Sequence, residues 1–169
     1  MIGAVKIRER GATPRGMKRI YGNLSKEAYA AAAQFFDDHL RDRRFTAEHA
    51  RAARYTKRKG ENLTGRARRR SYVGRKERQF GHDRPLEFSG KTRDALRSGG
   101  RVSTTKNHAR IAYPQARVFS FRHPKSQIRM QEEFRRLLPE EEVQLGQVYD
   151  RRLDELLASS DFTSQRAVA

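Results

Sequence analysis

The middle of the chain is its tightest constraint. From Arg41 to Arg101 there are 20 Lys and Arg against 7 Asp and Glu, a formal +13. A stretch with that charge repels itself and buries little, so the core has to come from the flanks and a few anchors within it. The whole chain carries a formal +18 over 169 residues, and only 36% of them are hydrophobic. That supports one small core and a single domain with appendages. The sign reverses near the end: residues 127–169 hold 6 Lys and Arg against 9 Asp and Glu, a formal −3. The chain is charge-segregated, and its acidic end is suited to pair with a neighbour's basic surface.

Local pattern predicts an α+β fold with N-terminal helices, a small antiparallel hairpin, C-terminal helices and extended basic arms. Residues 1–23 read as a basic arm. Its start alternates Ala4, Val5 and Ile7 with Lys6, Arg8 and Arg10, which suits an edge strand, and Gly11, Pro14 and Gly16 follow. Ser25 is predicted to cap a helix over Ala28 to Leu40, and Thr46 to open a shorter one. Leu86-Glu87-Phe88 is a short alternating piece, and Lys91 to Arg97 a short helix ended by Gly99-Gly100. Arg101 to Thr105 and His108 to Tyr113 flank Lys106-Asn107 as a hairpin stopped by Pro114. A third short strand or an irregular stretch is expected at Val118 to Phe121, a helix over Ser126 to Leu138, and a last helix from Pro139 to about Ala158. The single α+β domain thus spans 24–158, with a basic loop or arm at about 56–80, and 159–169 form a tail.

Enzymatic chemistry finds little to stand on in this sequence. A nucleophile with its base, paired carboxylates or a metal cluster would each leave a trace in residue types and spacing. His39, His49, His82, His108 and His123 occur singly, without the i, i+4 spacing of a helical metal site, and the chain has no cysteine. Gly60 and Gly65 have phosphate-loop spacing, but Arg66-Ala67 stands where Lys-Ser/Thr would reach phosphate and magnesium. Glu140-Glu141-Glu142 after Pro139 suits a helix N-terminus, where the dipole favours acids. No catalytic residue, metal ligand or cofactor site is therefore assigned. No run is long and apolar enough to cross a membrane, and a membrane partner is not expected.

The candidate contact tract is Lys57, Arg58, Lys59, Arg66, Arg68, Arg69, Arg70, Arg75, Lys76 and Arg78, with Tyr55 and Tyr72 as aromatic contacts. Charge mixed with rings suits phosphate contacts with occasional stacking, and it suits an acidic protein surface equally well. From residue types alone, Arg66 to Arg70 and Arg75 to Arg78 are either a basic helix or an extended arm.

The runs Arg43-Arg44-Phe45-Thr46, Tyr55-Thr56-Lys57-Arg58-Lys59 and Phe80 to Leu96, the last reading FGHDRPLEFSGKTRDAL, resemble small neck and tail-completion proteins of tailed bacteriophages. The resemblance covers about 43–157: a proline-leucine, aromatic, glycine and basic segment precedes a helix, a hairpin and a helical end. It implies a non-catalytic virion subunit without cofactor, assembled in the host cytoplasm and either forming part of a ring at the head-to-tail junction or capping the tail tube. Its implied partners are copies of itself, portal, adaptor or tail proteins, and double-stranded DNA. The heavy arginine content and the basic N-terminal arm depart from the family's usual pattern. A nucleic-acid-binding protein of ribosomal or nucleoid type, without sequence specificity, is the competing expectation from charge alone.

Overall fold

The computed structural model describes residues 14–97, 100–114, 116–120 and 127–160. The fold is α+β. Helix α1 (Pro14–Phe35) passes through a π-helical turn (Phe36–Leu40) and a 3-10 turn (Asp42–Phe45) into α2 (Ala47–Ala52). Then come α3 (Gly65–Arg70), α4 (Tyr72–Phe80) and α5 (Lys91–Arg97), strands β1 (Arg101–Thr104) and β2 (Ala109–Ala112), a 3-10 turn (Arg117–Ser120), α6 (Met130–Arg135) and α7 (Pro139–Ser159). The strands form one antiparallel pair in the register Arg101↔Ala112 to Thr104↔Ala109.

The frame is α1 against α7, with the hairpin laid on α1. Ser25 joins all three. Its hydroxyl donates to the Lys106 carbonyl at 2.7 Å in the hairpin turn and shares a 2.9 Å hydrogen bond with the Tyr149 hydroxyl of α7. Tyr29 and Tyr149 stack beside it with ring centroids 4.6 Å apart. Ser25 is therefore not the N-cap it was expected to be: the helix starts at Pro14, whose fixed φ suits a first turn, and Ser25 sits mid-helix facing inward. For the same reason the N-terminal arm, read as 1–23, does not extend past residue 13, and residues 1–13 lie outside the described residues.

The core lies at the other end of α1, around Phe134. Its ring meets Phe119 at 5.0 Å, Tyr113 at 5.9 Å, and Phe36 and Phe45 each at 6.3 Å between centroids. Leu86 and Leu96 complete it, both essentially without solvent contact. Leu86 enters through a left-handed backbone, φ 60°, so Leu86-Glu87-Phe88 is a turn and not the alternating piece its pattern suggested. A non-glycine residue held there costs on the order of 1 kcal/mol, which burial of a leucine side chain more than offsets. Of the two readings of Val118 to Phe121, the strand does not form: Arg117–Ser120 is a 3-10 turn that buries Phe119, and residue 121 lies outside the described residues. Of the helix read over Ser126 to Leu138, Met130–Arg135 is helical.

Candidate basic interface

The tract from Arg66 to Arg78 is a folded helical pair, which decides there between the helix and the arm; Lys57 to Lys59 lie in the loop before it. Ser71 ends α3 and begins α4. Its hydroxyl donates to the Arg68 carbonyl at 2.6 Å and accepts from the Gly74 amide at 3.2 Å. The helices meet so closely at Gly74 that a Cβ there would lie 2.0 Å from the Arg68 carbonyl oxygen. Gly81, with φ 71°, closes α4 in the left-handed conformation that glycine adopts without strain. Sequence periodicity could not find this pair, because a contact through a glycine has no apolar stripe.

Four tract members turn inward. Arg68 reaches Glu77 through two guanidinium nitrogens, Nε to Oε2 at 3.2 Å and Nη2 to Oε1, and its third, Nη1, donates to the Glu61 carbonyl at 3.2 Å. Arg58 grips Glu133 of α6 through Nη2 to Oε2 at 2.6 Å and Nη1 to Oε1 at 3.0 Å. The Thr56 amide donates to the same carboxylate at 2.8 Å. Lys76 is 2% exposed and donates to the Arg84 carbonyl. Burial lowers its pKa to about 8 despite the nearby carboxylates of Glu87 and Asp83. Tyr55 is buried in the core with its ring edge against His49. Arg58, Arg68, Lys76 and Tyr55 are each used within the fold, and burial of Lys76 and Tyr55 corrects the expectation that these two reach a partner directly. Tyr72 is half-buried, its ring 5.4 Å from Phe88, which packs on Phe80 at 5.1 Å.

What remains outside is Lys57, Lys59, Arg66, Arg69, Arg70, Arg75 and Arg78, all exposed. Among the described residues none of these seven has a carboxylate partner. Arg78 is aimed by its own scaffold, donating from Nη2 to the Arg69 carbonyl at 2.6 Å. Arg75 and Arg78 are three apart and share a face of α4. The carboxylates of Glu77 and Glu133 that could have neutralised this surface are spent holding Arg68 and Arg58. The outcome is a cationic surface on a rigid helical pair, which can grip phosphate or carboxylate with little ordering cost.

A second charged constellation is buried and escaped the sequence reading. Arg44 and Glu141 are 0% and 1% exposed, and Arg44 Nη1 donates to both carboxylate oxygens at 2.7 Å. His49 lies against the same guanidinium nitrogen, 2.9 Å from Nε2 and 3.1 Å from Nδ1. Burial, and next the Arg44 charge, pull the His49 pKa below its ordinary value, so the ring is neutral at pH 7. The Leu138 amide donates to Glu141 at 2.8 Å, so the helix-start role read for the acidic triplet holds for this residue, while its greater task is to clamp α7 to the chain before α2. Nothing local signals a pair 97 residues apart.

Among the described residues, no group of three or more His, Cys, Asp or Glu is placed to hold a metal ion, and no helix is long and apolar enough to cross a membrane. Comparison with protein-family models, with curated proteins and with solved structures gives no match.

Proposed function

We propose that the chain is a structural subunit of a tailed-bacteriophage virion, a neck, head-to-tail connector or tail-completion protein that works as part of a ring at the portal–tail junction without catalysing a reaction. One observation carries the reading: seven cations without a carboxylate partner among the described residues stand on and beside a helical pair whose one carboxylate, Glu77, is already committed internally. Such a surface needs a polyanionic partner, and a ring around exiting DNA or seated on an acidic portal supplies one. The acids exposed along α7, Glu140, Glu142, Asp150 and Asp154, give the next copy a complementary surface. Portal, adaptor or tail proteins and double-stranded DNA are the further partners.

The test is the triple variant R66Q/R69Q/R70Q, which spares the inward-facing Arg68. Wild-type protein should enter particles and form rings visible by negative-stain microscopy, and the variant should do so poorly at unchanged thermal stability. For every phosphate that the variant no longer neutralises, the salt dependence of DNA binding should flatten by a slope of about 0.9. Co-sedimentation with ribosomes, without ring formation or particle incorporation, would replace this reading with a nucleic-acid-binding protein of ribosomal or nucleoid type.

A further inference from the structure

Six consecutive residues, His108 to Tyr113, border one groove of about 740 Å³, and no residue of β1 does. Side chains along a strand alternate between faces, so a groove reached by every residue in turn faces the strand's edge. The register says which backbone groups point there. The Thr105 amide donates to the His108 carbonyl at 2.8 Å, which makes Ser103–Arg110 and Arg101–Ala112 the pairs that exchange hydrogen bonds. Ala109 and Ile111 then aim their N–H and C=O groups away from β1, into the groove, and among the described residues no backbone partner meets them. The facing walls are mainly apolar, with Tyr29 and Phe36 from the α1 side, Phe134 from α6 and Leu145 from α7, beside Gln131 and Arg135 of α6. An unpaired edge in a mainly apolar trough is the geometry that accepts an added strand.

We infer that the groove receives Ala4 to Arg8 of a second copy as a third strand on β2, Val5 and Ile7 facing the apolar walls and Lys6 and Arg8 facing water. The choice of a second copy rests on the multimeric reading above. The segment has the period-2 alternation of a half-buried strand. Reach argues against its own groove. Tyr29 lies 15 residues beyond Pro14, about 22 Å along α1, and Phe36 about 33 Å. At about 3.3 Å per residue, residues 4–7 attain that depth only if the chain is drawn straight along α1 without slack. That path also carries Arg8 and Arg10 past the exposed Arg15, Lys18 and Arg19. A neighbour's segment meets neither restriction. Strand to groove is a head-to-tail contact, the kind that closes rings.

Complementation tests it, using full-length proteins. V5D/I7D keeps the groove and spoils the strand; Ala109→Pro keeps the strand and removes one outward N–H without touching the β1–β2 ladder. In sedimentation over a concentration series, wild type should associate, and each variant alone should do so about tenfold more weakly or worse. An equimolar mixture of the two should recover a one-to-one complex. Undiminished association of both variants would overturn the inference while leaving the multimeric reading intact. Slow exchange of the Ala109 and Ile111 amides in a monomer, abolished in V5D/I7D, would overturn it in favour of the chain's own segment. A wild type that stays monomeric with both amides exchanging fast would overturn it outright. Should Ala109→Pro misfold, V5D/I7D alone still decides, because Val5 and Ile7 precede the described fold.

Discussion

Arginine holds both ends of this molecule together, by opposite physics. At the α7 end, Arg44 and Glu141 are sealed from solvent, and the guanidinium also lies over the Phe36 ring, 5.1 Å from its centroid. In the α3–α4 pair, Arg68 and Glu77 are partly open, with side chains 27% and 38% exposed. The buried pair is desolvated and unscreened, so removing one partner strands a charge in the interior. The open pair is weakened by salt and worth little alone. What separates them is whether water can replace the partner, so the contact tract can tolerate charge changes that the clamp cannot.

Removing one member of the clamp should have the largest effect. Glu141→Ala leaves Arg44 buried beside a neutral His49, with Nε and Nη2 already lacking partners. A loss of about 3–5 kcal/mol in chemical denaturation is expected, and a loss no larger than that of Glu77→Ala would erase the distinction between the two regions. Gly74→Ala comes next. The added methyl must push α4 off α3, at a cost of about 1–3 kcal/mol in the same denaturation series. The variant should also bind DNA or partner more weakly in a titration, because Arg75 and Arg78 move with the helix.

The pH dependence sharpens the comparison further. Lys76 titrates near 8 in the fold, below an ordinary lysine, chiefly because it is buried. The unfolded chain holds that proton more tightly, so the penalty is in force below pH 8 and fades as pH rises to about 10. Stability should therefore climb over that window in wild type, and the climb should be absent in Lys76→Met. Above about pH 10 the trend reverses, since Tyr55 and Tyr113, raised mainly by burial, stay protonated in the fold while unfolded tyrosines ionise. The smallest effect belongs to Glu77→Gln, expected to be visible at low ionic strength and to vanish in about 1 M salt. A salt-independent deficit would mean that the open pair is shielded from water after all.

The hairpin was legible because its alternation is local and Lys106-Asn107 and Pro114 bound it. Helix α7 was legible because Pro139 and the acids after it mark a helix start, and α2 because Thr46 caps it, accepting from the His49 amide at 3.2 Å. Of the candidate site, the exposed arginines were legible as charge. The inward turn of Arg58 and Lys76 was not, since their partners are Glu133, 75 residues away, and a backbone carbonyl at Arg84. Ser25 misled for a related reason. Its residue type favours a cap, but what fixed its place was a carbonyl and a phenol brought close by tertiary packing. Periodicity reports which residues share a face, and it is silent on what that face will meet.

The antiparallel seating of α1 on α7 gives the subunit a direction. Met17 and Tyr21 near the start of α1 share a recess with Leu157 near the end of α7, beside the hairpin turn at Lys106 and Asn107. The described chain therefore begins and finishes at one pole, while the aromatic core sits toward the other. A label on the exposed Met17 of α1 and one on the exposed Ala158 of α7 would mark the same pole, and in a closed ring both labels would decorate one rim. Class averages of such labelled rings would give the orientation of every subunit from a single image set.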